Sequence, residues 1–315
     1  MIPAAGSPVV AVERLTRRFG ELVAVDDVTF DVRPGELFGI VGPDGAGKTT
    51  TLRILAGVVR PTSGDARVRG VSVARDPEAV KPHIAYMSQR FGLYEDLTVR
   101  ENIDFYADLY RVPKAERPAR IARLHHFSGL GPFEDRLAGK LSGGMKQKLS
   151  LSCALIHHPE VLLLDEPTFG VDPISRRDLW LILHEMVASG VTVVVSTSYL
   201  DEAERCDRVA LLDHGRVLAL DTPAALQARL TGEMRAVWTD DPRTAVQRLA
   251  ESPDVLAATL YGDAVHVLLK DGASWETVRA ALAAAGVAVS DDARIEPSLE
   301  DVFIHLVGRR EAARA

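Results

Sequence analysis

The segment "GPDGAGKTT", residues 42–50, has the residue types and spacing of a loop that binds phosphate. It fits the pattern G-x-x-x-x-G-K-[ST], in which glycines let backbone N–H groups approach phosphate oxygens and the following helix adds its dipole. At this spacing Lys48 would reach the β- and γ-phosphates of a nucleotide, and Thr49 would bind Mg²⁺. A glycine-rich turn without a ligand is the competing interpretation. The predicted ligand contacts in this segment are Gly42, Pro43, Asp44, Gly45, Ala46, Gly47, Lys48, Thr49 and Thr50.

Two adjacent carboxylates follow the apolar run in "VLLLDEP". A buried strand here would bring Asp165 to the carboxyl edge of a sheet, where a carboxylate can hold Mg²⁺ through water. Glu166, the next residue, would then be placed to polarise an attacking water. Either residue alone could be a solvated strand end. Together with a phosphate loop, the pair favours nucleotide hydrolysis.

A second candidate anion site lies in "LSGGMKQK", residues 141–148. Ser142, Gly143 and Gly144 come directly before a predicted helix, whose first N–H groups and dipole favour an anion. One nucleotide needs only one such helix start. The segment is therefore either an ordinary helix cap or a site that completes the nucleotide pocket of another copy.

The elements around these motifs alternate between apolar strands and helices. "ELFGIVG" precedes the phosphate loop, and "VLLLD" and "VTVVVST" flank the helical segment "RRDLWLILHEMV". Strands that are apolar throughout indicate a mostly parallel sheet covered on both faces, hence an α/β fold. Residues 98–145 are predicted to be helical, starting at a capping box formed by Thr98 and Glu101.

The pattern changes near residue 231. From there the predicted order β-α-β-β-α-β is compatible with a small ferredoxin-like α+β domain. Its last helix is predicted to begin at Ser298 and to carry its apolar residues on one face. The sequence therefore predicts two domains, residues 1–230 and residues 231–315.

Composition limits the class of protein. The chain of 315 residues is 47% hydrophobic and 26% charged, which is typical of a globular protein. Its net charge of −7 argues against a nucleic-acid partner. Two cysteines, Cys153 and Cys206, are too few for a disulfide framework and indicate reduced thiols. We find no signal-peptide pattern and no apolar run long enough to span a membrane, so a membrane role would require a partner.

Along the chain the motifs stand in the order "GPDGAGKTT", "LSGGMKQK" and "VLLLDEP", and over residues 8 to about 230 they resemble those of the ATP-binding subunits of ABC transporters. The most specific of them is "LSGGMKQ". The resemblance implies a P-loop NTPase fold with a RecA-like core, an antiparallel β subdomain and a helical subdomain at about 90–145. It also implies ATP and Mg²⁺ as ligands. The implied partners are a second ATPase subunit and an integral membrane permease, at the cytoplasmic face of the cell membrane.

The same resemblance implies roles for individual residues. Phe19, in "LTRRFG", stacks on adenine, where Tyr is commoner. Gln89 contacts Mg²⁺ or the attacking water and senses the membrane partner. Asp172, in "FGVDP", lies at the dimer seam. The γ-phosphate held by the opposite subunit is bound by Ser142, Gly143 and Gly144.

The carboxy-terminal "IEPSLEDVFIHLVG" looks like the ending of ATPase subunits in the antibiotic, polysaccharide and haem exporter branch. Those subunits carry a small C-terminal domain linked to dimerisation. An amphipathic helix that only caps its own domain explains the segment equally well.

Two residues depart from the family pattern. Ser198 stands where a histidine usually contacts the γ-phosphate and helps to fix the water against Glu166. Losing such a donor costs roughly 2.7–4 kcal/mol, or about 10²–10³ in rate. Asp44 stands where Asn or Ser is usual. The main interpretation is an ATP-hydrolysing exporter subunit with Glu166 as general base.

The departures at Ser198 and Asp44 also permit an alternative interpretation, in which the chain is a slow or non-hydrolysing ATP-binding partner in a heterodimeric transporter. In that interpretation, both residues mark pairing with a non-identical subunit. A third class is an ABC ATPase of DNA repair or translation. That class is disfavoured because the chain has neither a coiled-coil insertion nor a second ATPase half.

Overall fold

The computed structural model describes residues 7–89 and 92–312. These residues separate into two compact units, one ending at Leu220 and the other beginning at Asp221. The predicted division after residue 230 into a nucleotide-binding and an accessory domain stays a prediction. Among the helices in the described ranges, none combines the length and the apolar character needed to cross a bilayer.

The first unit contains two β-sheets and a set of helices. Its strands are β1 (Val10–Phe19), β2 (Leu22–Val32), β3 (Leu37–Val41), β4 (Ser63–Val68), β5 (Val71–Ser72), β6 (Ile84–Met87), β7 (Val161–Asp165), β8 (Thr192–Thr197), β9 (Arg208–Asp213) and β10 (Arg216–Asp221). Its helices are α1 (Lys48–Leu55), α2 (Pro77–Val80), α3 (Val99–Leu109), α4 (Arg117–Ser128), α5 (Gly143–Leu155), α6 (Pro173–Ala188) and α7 (Leu200–Ala203).

One sheet of this unit is antiparallel, with strand order β2-β1-β4-β5. The other has the order β10-β9-β3-β8-β7-β6, and its strands from β9 to β6 are parallel to their neighbours. Strands β3, β7 and β8 are buried along their whole length, as their apolar sequences require. The predicted α/β fold with a mostly parallel sheet is therefore confirmed.

Strand register brings the candidate site residues to one edge of the parallel sheet. Val41, the last residue of β3, pairs with Thr197, the last residue of β8. Asp165, the last residue of β7, pairs with Ser196. Because parallel strands end at the same edge, the phosphate loop, the Asp165–Glu166 pair and Ser198 must leave the sheet side by side.

The helical region is present where residues 90–145 were predicted to hold it, although Arg90 and Phe91 lie outside the described residues. Helix α3 begins with the predicted capping box, in which Thr98 Oγ1 accepts from Glu101 N and the Glu101 carboxylate accepts from Thr98 N. Helices α3 and α4 precede α5, which extends from the glycine pair of "LSGGMKQK" to Leu155.

The second unit begins with α8 (Pro223–Gln227). The remaining elements are β11 (Met234–Thr239), α9 (Pro242–Ala250), β12 (Val255–Tyr261), β13 (Ala264–Leu269), α10 (Trp275–Ala284), β14 (Val289–Arg294) and α11 (Leu299–Ala312). Strands pair antiparallel in the order β12-β13-β11-β14. The order β-α-β-β-α-β is thus present after α8, and the ferredoxin-like assignment remains our prediction.

Helix α11 is held against its own sheet by one buried carboxylate. Asp301 Oδ2 accepts from the Ser298 backbone N–H at 2.8 Å, and Asp301 Oδ1 lies 2.9 Å from His266 Nδ1 on β13. Leu299 and Val302 of the same helix are buried. These contacts give the "IEPSLEDVF" segment a structural use within its own unit, and a role in dimerisation stays a prediction.

Candidate functional site

Lys48 connects the phosphate loop to the other strand ends. Its side chain is buried at the start of α1, with its Nζ donating to Gly42 O at 2.7 Å and Pro43 O at 3.0 Å. The same Nζ lies 2.8 Å from Ser198 Oγ and 3.0 Å from Glu166 Oε1. Four oxygen atoms therefore surround one ammonium group, which is the arrangement expected of a cation placed to meet phosphate oxygens.

The glycines at the two ends of the loop are required by close approach of backbone. A Cβ atom on Gly42 would lie 2.1 Å from Leu212 O, and one on Gly47 would lie 2.4 Å from Ala24 O. Gly45 has φ +81° with no atom near its missing Cβ, so it supplies conformational freedom instead. The loop shape is thus determined by the fold around it.

Asp165 is a buried acceptor that three hydroxyl groups hold in place. Its Oδ1 accepts from Thr49 Oγ1 at 2.9 Å and from Ser196 Oγ at 2.9 Å, and its Oδ2 accepts from the Tyr86 hydroxyl at 3.1 Å. Burial and the neighbouring Asp165 carboxylate raise the pKa of Tyr86 to about 12, so the hydroxyl stays protonated as a donor. Sequence reasoning missed Tyr86 and Ser196; the available signals were a tyrosine in the apolar strand β6 and a serine directly after the apolar run of β8.

Glu166 leaves the strand in an unusual backbone conformation. Its φ is +48°, a value that costs a residue with a side chain about 1–3 kcal/mol and occurs preferentially at functional positions. Its backbone N–H donates to Ser196 Oγ at 3.0 Å, which holds this turn. The carboxylate accepts from Ser198 Oγ at 2.8 Å and from Gln89 Nε2 at 2.9 Å. The turn therefore aims Glu166 at Lys48, Ser198 and Gln89.

Asp44 lies on the exposed side of this cluster. Its Oδ1 is 3.4 Å from Ser198 Oγ, a long contact beside the 2.8 Å distances that Ser198 makes to Lys48 and Glu166. The two positions that depart from the family pattern are therefore neighbours within one chain. A change at one of them alters the surroundings of the other.

An open cleft of about 480 Å³ joins the phosphate loop to Phe19. The Phe19 ring is 45% exposed, and the Arg17 guanidinium lies 4.3 Å from its centroid. Gln89 and Glu166 line the same cleft. An exposed aromatic ring thus stands at one side of the cleft and the buried Lys48 ammonium at another, which suits a ligand that carries both a flat ring and phosphates.

The residues of "LSGGMKQK" and Asp172 form a second group. Ser142 Oγ accepts from Met145 N at 3.3 Å as the cap of α5, and Asp172 caps α6 by accepting from Ser175 N at 2.9 Å. Hydrogen bonding from Ser175 holds the pKa of the Asp172 carboxyl below its usual value. In the described ranges, no hydrogen bond or ion pair joins this group to the cluster around Lys48.

The two glycines of this segment have different surroundings. A Cβ on Gly144 would lie 2.2 Å from Ser175 Oγ, so α5 and α6 require a glycine there. A Cβ on Gly143 would meet no atom within 4 Å. Packing within the chain explains Gly144, whereas the glycine at 143 leaves an open approach to the backbone at the start of α5.

Oxygen atoms suited to Mg²⁺ are present beside the phosphate loop. Among the residues that the structure describes, no three His, Cys, Asp or Glu side chains are grouped to hold a metal. Thr49 Oγ1 and Asp165 Oδ1 are 2.9 Å apart, and a hydroxyl with a carboxylate is the hard-oxygen donor set that Mg²⁺ takes when phosphates and water supply the remaining ligands. The residues present therefore fit this ion.

A parallel sheet with a glycine-rich loop after β3, carboxylates after β7 and an aromatic-sided cleft defines the first unit as a P-loop NTPase. Residues 25–169 match the ABC transporter family model. One solved chain, described as the ATP binding subunit of an ABC transporter, superposes with a TM-score of 0.64 at 32% identity. The match covers 70% of the present chain and 92% of the solved one.

Curated relatives extend the likeness beyond this unit. The Daunorubicin resistance ATP-binding protein DrrA2 of Streptomyces coeruleorubidus is 37% identical over 96% of the present chain and 95% of its own length. The chain therefore belongs to the ABC transporter family. The Probable multidrug ABC transporter ATP-binding protein YbhF of Escherichia coli (strain K12) is 43% identical over 95% of the chain, which spans only 52% of the length of YbhF.

Proposed function

We propose that the chain is the ATP-hydrolysing subunit of a membrane exporter. The observation that carries this proposal is the hydrogen-bonded cluster of Lys48, Glu166, Ser198 and Gln89 at the mouth of the cleft. In such a cluster one cation meets the phosphates and one carboxylate meets the attacking water. ATP-driven closure of two such subunits would move the membrane domains, and hydrolysis would reset them.

Binding of ATP would rearrange the cluster. Adenine would stack on the exposed Phe19 ring, and the loop amides from Gly42 to Thr50 would surround the phosphates. Lys48 Nζ, which lies 3.0 Å from Glu166, would exchange this carboxylate for phosphate oxygens. Glu166 would then be released to accept a hydrogen bond from water.

Hydrolysis would proceed by attack of that water on the γ-phosphorus. Glu166 takes the water proton as the new P–O bond forms and the bond to the β,γ-bridging oxygen breaks, leaving ADP and phosphate. Lys48 and the loop amides stabilise the developing negative charge. Gln89 and Ser198, both hydrogen-bonded to the carboxylate, would orient Glu166 and the water.

A magnesium ion would be held by Thr49 and Asp165, with Gln89 near it. Its chemistry would be to neutralise charge on the phosphate oxygens. Tyr86 and Ser196 support this role because their hydroxyls orient the Asp165 carboxylate. Tyr86→Phe should therefore raise the Mg²⁺ concentration needed for half-maximal activity while leaving ATP affinity unchanged.

The nucleotide site would be completed by a second ATPase subunit. Over the part of the chain that the structure describes, no hydrogen bond or ion pair joins Ser142, Gly143, Gly144 or Asp172 to the cluster around Lys48. The open Gly143 backbone would receive the γ-phosphate of the partner's nucleotide. The partner would be another copy or a related chain. Names of the relatives, all ATP-binding proteins, do not favour the alternative of a subunit that fails to hydrolyse ATP.

An integral membrane permease would be the other partner, and the chain would lie at the cytoplasmic face of the membrane. Support for export comes from relatives named for multidrug transport, Nod factor export and daunorubicin resistance. The permease would contact the helical region that follows Gln89. Because Gln89 donates a hydrogen bond to Glu166, such a contact would affect the position of the hydrolytic carboxylate.

Phosphate release by the purified chain with excess Mg²⁺ and ATP tests the proposal. We expect Glu166→Gln to lower kcat by at least about a hundredfold while leaving ATP affinity within a few fold, because the carboxylate acts on water and not on the nucleotide. Glu185→Gln, an exposed carboxylate on α6, is the matched control. Equal rates for wild type and Glu166→Gln would refute the assignment of the general base.

A further inference from the structure

A second cavity, of about 380 Å³, lies away from the nucleotide cleft. Thr192, the first residue of β8, and Pro159, two residues before β7, line it. They stand at the edge of the parallel sheet opposite to Asp165 and Ser198, about 15 Å away along the strands. The cavity is therefore separate from the cleft at the phosphate loop.

Apolar side chains form a large part of the lining of this cavity. The volume and the mixed apolar and charged lining are those of a pocket for a small organic ligand. Helix α4, the segment from the end of α5 to β7 and the segment from the end of α6 to β8 supply most of the lining, and Val9, Pro34 and Arg69 complete it. The buried apolar residues of the lining are Val9, Leu124, Leu155, Pro159 and Met186.

Arginines dominate the charged part of the lining. Arg69 is paired with Glu160 at 2.8 Å, and Arg120 pairs with Glu116. Arg123 is exposed at the cavity, and within the described residues it has no ion-pair partner. Carboxylates thus match two of the three guanidinium groups, and the unpaired charge of Arg123 is complementary to an anion.

His158 lines the same cavity, and partial burial is the largest influence on its pKa. Burial, followed by the nearby Arg120 and Arg123 guanidinium groups, holds the pKa of His158 below its usual value. The imidazole is therefore neutral at physiological pH and can donate one hydrogen bond or accept one. It supplies a polar contact without adding repulsion to a bound anion.

We propose that this cavity binds a small organic anion with an apolar body, of which a medium-chain monocarboxylate is the simplest case. The carbon chain would lie against the buried apolar residues, and the carboxylate would meet the guanidinium of Arg123, whose planar fork matches it. Burial of the ligand's carbon chain supplies most of the affinity, and Arg123 favours a negatively charged ligand over a neutral or positive one. This inference does not rest on the proposed ATPase function.

Calorimetric titration of the full chain without nucleotide tests the proposal, using octanoate, octanol and octylammonium as probes. We expect saturable one-to-one binding of octanoate, weaker binding of octanol and none of octylammonium. Arg123→Ala should weaken octanoate binding about tenfold, the cost of one charge-assisted hydrogen bond. Arg205→Ala removes an exposed arginine outside the cavity and should change nothing.

A second variant fills the cavity volume instead of removing the positive charge of Arg123. Val191 is half-buried in the lining, and Val191→Phe should abolish octanoate binding while ATP binding stays unchanged. Equal binding of octanol and octanoate, or an unaltered affinity in Arg123→Ala, would overturn the proposal. So would binding to phosphatidylglycerol vesicles with no binding of soluble octanoate, because a membrane surface would then be the ligand. Loss of ATP binding alone would bear on the nucleotide cleft and not on this cavity.

Discussion

Replacing Ser198 by histidine tests how the site positions the attacking water. Ser198 Oγ lies 2.8 Å from both Lys48 Nζ and Glu166 Oε1, so its short side chain sits between the two charges. An imidazole extends farther from the backbone and would reach past them, toward the position of a γ-phosphate and toward Asp44. Ser198→His would therefore exchange an internal hydrogen bond for a donor to the transition state.

The expected gain is the difference between two contributions. A positioned donor to a developing anion is worth roughly 2.7–4 kcal/mol. Loss of the serine hydrogen bond to the charged Glu166 costs about 1.5–3 kcal/mol, whereas the bond to Lys48 is already given up when ATP binds. The difference between the midpoints of these two ranges is about 1.1 kcal/mol, or roughly sixfold in kcat.

Phosphate release at saturating ATP measures this change, with ATP affinity determined in parallel. Ser198→Ala is the matched control, since it removes the hydroxyl without adding an imidazole, and its kcat should not exceed that of the wild type. A Ser198→His enzyme no faster than the wild type, with unchanged ATP affinity, would refute the reasoning. An equal rise in Ser198→Ala would show that removing serine, and not adding histidine, matters.

Three further predictions concern packing and pH. Gly144→Ala should lower the free energy of unfolding by about 1–3 kcal/mol in urea, because its Cβ would overlap Ser175. Asp301→Ala should cost about 2 kcal/mol, seen as a lower Tm of the second unit, because α11 loses its cap and His266 loses its partner. Burial lowers the pKa of His157, so its contribution to stability is complete above about pH 6.5 and is lost as pH falls toward the folded-state pKa. His157→Gln should therefore reduce the loss of urea stability between about pH 7 and pH 5.

Each of these predictions has a control in the same chain. Gly143→Ala should leave stability nearly unchanged, because no atom lies within 4 Å of its added Cβ. Glu276→Ala, at an exposed position of α10, should affect the second unit far less than the change at 301. His126→Gln, on the exposed side of α4, should keep the full acid sensitivity. Equal effects in any pair of variant and control would contradict the structural reason given.

The local sequence pattern was sufficient to predict the motifs and much of the fold. The strand before residue 42, the apolar strand ending at Asp165 and the capping box at Thr98 are all present as predicted. These features depend on residues close in sequence, on steric limits and on hydrophobic periodicity. For the same reason the α/β class followed from strands that are apolar on both faces.

Other features depend on residues far apart in the chain. The hydroxyls of Tyr86 and Ser196 reach Asp165 because strand pairing places three separate segments side by side. The contact between Asp44 and Ser198 arises in the same way, from the pairing of β3 with β8. The cavity beside Arg123 is assembled from helix α4 and several connecting segments, none of which carries a motif.

The sequence by itself determined which groups are available, namely a phosphate loop, two carboxylates, a serine in place of the usual histidine and a second glycine pair before a helix. Those identities are local and can be recognised by spacing. The tertiary structure decided which groups meet, placing Lys48, Glu166, Ser198 and Gln89 in one hydrogen-bonded cluster and leaving Gly143 open. The physical reason is that contacts between distant segments are set by strand register and core packing, which no single segment encodes.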